Sequence, residues 1–203
     1  MTASTPHLLS VSGIVLLLGS IAVWWLPSPQ LGDTNPIYDP LDELCIVAPA
    51  HPYDPAGGLA LHEPRPIPAD ARCPVCGMFP SRFPAWAGQV IFSDGAAHFF
   101  DSPVNLLVFL RAPERYSNYT REDIVASYVN DVASSTWTDA RTAHYVHGSN
   151  ALGPMREGNL PTFAQHEAAE RFARERGGVV LALPEVSAEI LNSLVISVHH
   201  HHD

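Results

Sequence analysis

Lysine is missing from this chain: all eleven basic residues are Arg, they face 21 acids, and the formal net charge is −10. A chain this acidic, without a basic stripe, is poorly suited to a phosphate backbone, so nucleic-acid binding is excluded. Cysteine is scarce. Three Cys cannot build a disulfide scaffold, and an odd count leaves at least one thiol unpaired within a monomer. Charged residues make up only 16%, while 46% are hydrophobic, which excludes a wholly disordered polymer. With 203 residues there is room for one to two domains around a sizeable core.

What the sequence does hold begins with a long apolar run. Leu8 to Leu26 is uncharged throughout and ends on Trp24 and Trp25, where indoles prefer a headgroup layer. As a helix it would span roughly 28 Å, close to a bilayer's hydrocarbon core. The weak small-residue site at Ser20–Ala22 lies inside the apolar run, so residues 1–26 read as an uncleaved signal anchor. Residues 1–64 carry no Lys or Arg and several acids follow the span, which favours an extracytoplasmic C-terminal part. Residues 27–70 hold ten of the nineteen prolines and seven acids against one Arg, the composition of a semi-rigid tether.

From residue 71 the texture is that of an α+β domain, expected to run to residue 183 as two small sheet-plus-helix modules, about 71–115 and 121–183. Apolar runs on either side of Asp94-Gly95 predict a hairpin. Asp101-Ser102-Pro103 then offers a cap and a first-turn proline for a helix burying Leu106, Leu107, Phe109 and Leu110. In the second module, residues 124–129, 142–146, 162–163 and 179–183 read as strands. A helix from Gln165 to Arg176 is closed by Gly177-Gly178. Residues 184–203 read as a last helix, with Val186, Ile190, Leu191, Leu194 and Val195 on one stripe, and a His-rich tail. A weak echo joins the modules: Phe100 is followed nine residues later by Phe109, and Phe163 by Phe172.

The chemistry concentrates in Cys73-Pro74-Val75-Cys76-Gly77-Met78. Two thiols three residues apart can approach one ion, and Met78 adds a thioether beside a thiolate. Four readings stand side by side. Half of a structural zinc site lacks a second Cys pair, and Cys45 is remote. A redox dithiol lacks the helix that ordinarily lowers its thiol pKa. A cuprous site suits thiolate with thioether, and Met155, in the turn Gly153-Pro154-Met155, is a second loop-borne thioether. A reduced pair without a ligand is the fourth.

The ordered motifs decide among them. The Cys73–Met78 run is followed by Ala97-His-Phe-Phe-Asp101, the stretch from Val129-Asn-Asp-Val-Ala-Ser134 through Trp137 to Val146, Gly153-Pro-Met155, Pro161-Thr-Phe163 and Ala168–Phe172 up to Gly178. Over about residues 70–183 the chain resembles the NosL family of nitrous oxide reductase accessory proteins. The resemblance implies two ββαβ-like modules, related to the mercury-lyase fold, and a monovalent-copper metallochaperone rather than an enzyme. It would face the periplasm and serve maturation of the copper centres of nitrous oxide reductase, or of another extracytoplasmic copper enzyme, beside ATP-binding-cassette machinery. Family ligation of Cu(I) carries over to Cys76, Met78 and Met155, with Cys73 as a further donor or a spectator. The membrane helix and the tether stand where family members commonly carry a lipoprotein anchor. The rival class is an enzyme using Cys73 and Cys76: a thiol–disulfide oxidoreductase, or an organomercurial-lyase-like protein for which no motif names the acid. His98 reads as structural, and His199–His202 as a solvated tail.

Overall fold

The computed structural model describes residues 48–156 and 159–196. The expected signal anchor, the tether up to residue 47, Cys45 and the His-rich tail lie outside the described residues. Among the described residues no helix is long and apolar enough to cross a membrane.

Asp94-Gly95 turns the first hairpin, β1 (Gly88–Phe92) and β2 (Ala97–Phe100). The chain then enters helix α1 (Pro103–Arg111), capped by Ser102, whose Oγ accepts from the Asn105 N–H at 3.3 Å, with Pro103 in the first turn. Strands β3 (Ile124–Asn130) and β4 (Trp137–Asp139) follow, giving a four-stranded antiparallel sheet ordered β2-β1-β3-β4. A second sheet, ordered β6-β5-β7, is built from β5 (His144–His147), β6 (Thr162–Phe163) and β7 (Val179–Ala182). Helix α2 (His166–Arg176) joins β6 to β7, and α3 (Ala188–Ile196) follows.

These pairings correct two expectations. The seam between modules is not near residue 121, because β3 pairs along the whole of β1. The first unit is therefore β1-β2-α1-β3, with β4 added at its edge, and the second is β5-β6-α2-β7. In both, the first strand sits centrally between the second and third, antiparallel to each. The phenylalanine echo is a structural repeat: the Phe100–Phe109 and Phe163–Phe172 ring centroids are each 5.1 Å apart. Each pair pins a helix to its own sheet by the same strand-to-helix contact.

The second correction concerns the tether. Residues 48–70 are not a free spacer but a strap over the outer face of the first sheet. His51 exchanges two backbone hydrogen bonds of 2.8 Å with Ala97, closing the edge of β2. Gln89, fully buried, accepts from the Arg65 backbone N–H and returns a bond to its carbonyl, both at 3.1 Å. The Arg65 guanidinium donates to Gly95 O at 2.8 Å. Ile67 and Ala71 pack on Ile91, Ala97 and Phe99. Gly95 (φ +83°) is required there, because a Cβ would stand 2.3 Å from Leu61 Cδ1 and 2.8 Å from Tyr53 Cβ. Proline richness in this stretch encodes an extended path, and the sheet supplies the partners.

The inner face carries the main core. Phe92, Phe100, Leu106, Phe109, Val129, Tyr145, Leu160, Val186 and Leu191 form one cluster, so both repeats and α3 share it. His98 is buried in that wall, edge-on to Phe92 and Phe109, with Nε2 lacking a hydrogen-bond partner among the described residues. Burial first, and the neighbouring His51 second, lower its pKa from 6.5 to about 4. The unfolded chain therefore binds the extra proton between these values. Stability contributed by neutral His98 is whole above about pH 6.5 and lost as pH falls towards 4, about 3 kcal/mol in all. Urea unfolding at pH 7.5 and pH 5 should show about 2 kcal/mol of this loss, because pH 5 is still above the folded pKa, and His98→Phe should reduce the difference between the two. An undiminished difference in the variant would assign the pH dependence to other groups.

Candidate metal centre

The Cys turn is shaped by its own backbone. Cys73 N–H donates to Met78 O at 2.8 Å and Gly77 N–H donates to Cys73 O at 2.7 Å. Gly77 takes φ +75°, which a side chain would resist. No α-helix follows the pair; 3₁₀ turns at Pro80–Arg82 and Pro84–Trp86 do. The absence of a helix behind the thiols is the one expected from the sequence. Arg72 closes the rim, donating to Gly77 O at 3.2 Å while its guanidinium lies 4.2 Å over the Phe79 ring.

Cys73 is fully buried and Cys76 half-buried, both free thiols. The fold adds a residue that sequence reasoning did not place at the site. Asp101, at the end of β2, brings a carboxylate oxygen within 4.8 Å of both sulfurs, as they are of each other. The Cys76 thiol donates to Asp101 Oδ1 at 3.2 Å, and Asn105 Nδ2 donates to the same oxygen at 2.8 Å. Oδ2 is buried and has no hydrogen-bond partner among the described residues. Burial foremost, then the hydrogen bond with Cys76 and the Asp101 charge, pushes the Cys73 thiol well above its ordinary range. Without a cation, Cys73 is a neutral thiol; a bound cation reverses that balance and favours thiolate.

The two methionines sit differently. Met78 shares the Cys turn through its carbonyl. Met155 rides the Gly153-Pro154-Met155 turn, which closes through an Arg156 N–H to Gly153 O bond of 2.9 Å. Asn159 holds this loop, donating to Ala151 O and accepting from Ser149 Oγ at 3.3 Å. Gly153 lies against the indole of Trp86, where an added Cβ would be 3.8 Å from the ring. The loop bearing Met155 thus rests on the segment that continues from the Cys turn. Both methionine side chains are half-buried.

The sequence signal for Asp101 was present but ambiguous. An acid just before a helix cap satisfies the positive end of the helix dipole, which explains it without a ligand. In the repeat that service falls to Glu167, in the first turn of α2. Ala164 follows Phe163 where Asp101 follows Phe100, and α2 forms all the same.

Comparison with known proteins bears on this geometry. A family model described as NosL matches residues 64–191, which covers the Cys turn, both repeats and the start of α3. The chain belongs to the NosL family. The match extends past the expected limit at residue 183, into the helix that closes the core. A copper-binding lipoprotein NosL of Stutzerimonas stutzeri is 29% identical over 135 residues, covering 63% of this chain and 67% of the relative. The crystal structure of the copper chaperone NosL from Shewanella denitrificans aligns with a TM-score of 0.55 at 26% identity, covering 63% of this chain and 98% of that one. The expected fold, two small ββαβ units of NosL type, is the one observed.

Proposed function

We propose that this NosL-family chain is a metallochaperone that binds one cuprous ion and passes it on by ligand exchange. One observation carries the reading: a thiol pair on a tight turn, Cys73 buried and Cys76 half-buried, with one thioether on that turn and another on a loop seated against Trp86. Cys76, Met78 and Met155 are the expected donors, with Cys73 beside them. Soft sulfur donors favour Cu(I) over harder ions, and loop-borne donors can be displaced one at a time by an acceptor's Met, His or Cys. The acceptor is an extracytoplasmic copper enzyme, nitrous oxide reductase in the first place, with its ATP-binding-cassette maturation machinery. Residues 1–26 would anchor the chain to the membrane, with the described domain on the extracytoplasmic side.

The enzyme readings gain little support. An attacking thiol works through a lowered pKa, whereas Cys73 is buried and shifted upward and the pair does not open a helix. Asp101 does supply the carboxylate that a lyase-like reading lacked, yet Oδ1 is already engaged by Cys76 and Asn105.

Met155→Ala is expected to weaken Cu(I) about ten-fold in competition with a chromogenic chelator, while far-ultraviolet dichroism stays that of the parent, because the side chain is outside the core cluster. An unchanged affinity would remove Met155 from the donor set.

A further inference from the structure

The second unit gathers two imidazoles and a carboxylate where its helix begins, with no sulfur among them. We infer that His144, His166 and Glu170 form a further metal site, suited to a divalent cation of the Zn²⁺ type with water completing its shell. It shares no residue with the copper donors, so it stands or falls independently of the copper reading.

Three observations carry the inference. The first is a chelating pair on α2. His166 opens the helix and Glu170 follows one turn later on the same face, with Nδ1 and Oε1 3.8 Å apart. Donors four residues apart on a helix are a recurring way to clasp one ion. Arg174, a turn further on, lies 3.6 Å from Oε2, which leaves Oε1 for the imidazole side. The second is the strand beneath. His144 opens β5 and shares a face with Val146, which packs against Ala169 of α2. The His144 and His166 ring centroids are 5.0 Å apart, with the rings inclined at 82°. Around a tetrahedral ion with donors at about 2.1 Å, donor atoms stand about 3.4 Å apart and imidazole centroids about 5 Å apart. Both pairs are near that spacing. The third side, His144 to Glu170, closes by side-chain rotation, for which exposures of 52% at His166 and 47% at Glu170 leave room.

The third observation is the repeat. Gly88 pairs with Phe100 as His144 pairs with Phe163. Counting on from those phenylalanines, Pro103 matches His166 and Leu107 matches Glu170. In the first unit Gly88, Pro103 and Leu107 are all buried. The fold therefore asks for no polar group at these positions, yet the second unit places a nitrogen or oxygen donor at every one.

Charge and softness select the ion. Two neutral imidazoles and one carboxylate sum to −1, so a divalent ion leaves +1 in a chain whose net charge is −10. Imidazole and carboxylate suit zinc and its neighbours, whereas a cuprous ion prefers sulfur. The positive end of the α2 dipole opposes a cation, and Glu167 in the same first turn works the other way. On binding, two nitrogen–metal bonds and one oxygen–metal bond form, water leaves the ion, and no electron moves.

The test uses the full, reduced chain carrying His199→Ala to His202→Ala, which removes the imidazoles of the tail. Cys45→Ser, Cys73→Ser and Cys76→Ser remove the competing thiols. Zn²⁺ is the probe, followed by titration calorimetry, and one equivalent should bind. Loss of a group that only supports a ligand commonly costs about 10–100-fold, so His144→Gln and His166→Gln should each cost at least ten-fold. Glu170→Gln should cost several-fold, and Glu167→Gln less than two-fold. Dichroism should stay that of the parent, since none of the four side chains is buried. Should the serine background fail to fold, the thiols are kept and the site is read as the equivalent that both histidine variants lose. The inference is overturned if either histidine variant leaves zinc affinity unchanged. It is also overturned if Glu167→Gln costs as much as Glu170→Gln, because a diffuse acidic surface would then account for the binding.

Discussion

Replacing Cys76 by Ser should cost the chain at least a hundred-fold in Cu(I) affinity, with its unfolding midpoint little changed. Cys76 is half-buried, and its thiol donates to Asp101 Oδ1 at 3.2 Å. Serine preserves that hydrogen bond and removes the soft donor. Changing a partner that merely supports a metal ligand commonly costs about 10–100-fold, so removing a thiolate from the shell must cost more. Cys73→Ser should cost less for copper, because Cys73 lies deeper and its thiol resists deprotonation. Oxidation of the pair to a disulfide should mimic Cys76→Ser, since it consumes both sulfurs. Chelator competition with reduced chain, oxidised chain and the two variants checks the order. Equal affinity of the oxidised and reduced chains would show that copper binds elsewhere.

The second large effect concerns stability. Phe109→Ala is expected to destabilise the fold by about 3–5 kcal/mol, the usual range for deleting a buried aromatic side chain. Phe109 is wholly inaccessible and stands against four rings: Phe100 at 5.1 Å, His98 at 5.5 Å, Tyr116 at 6.1 Å and Phe92 at 6.4 Å between centroids. Its repeat counterpart Phe172 is half-buried and stands against Phe163 alone among aromatic rings of the described residues. Phe172→Ala should therefore cost roughly half as much. Denaturant unfolding of the two variants compares them directly. If they cost the same, the burial difference between the two phenylalanines carries no weight.

Much of this architecture was readable from local chemistry. Asp94-Gly95 has one good use between two apolar runs, and Ser102-Pro103 and Gly177-Gly178 mark helix ends by backbone preference alone. The paired phenylalanines pointed to a repeat before any strand was paired. Other parts depend on distant partners. Trp137–Asp139 is too short to announce a strand and becomes one only through β3. Residues 48–70 carry the composition of a spacer, and only the buried Gln89 and the bridge at Ala97 turn them into a strap. Asp101 is separated from Cys76 by 25 residues, and its nearest sequence context explains it as an ordinary helix-start acid. Its role in the centre emerges where the end of β2 meets the Cys turn.

The unequal repeats also suggest how such a molecule divides labour. Where two copies of one unit share a common core, one can drift towards plain scaffolding without the whole coming apart. The copy holding Asp101 and Asn105 carries a buried acid, and its twin has alanines at both places. Each half can then carry its own chemistry at a corner the other leaves plain.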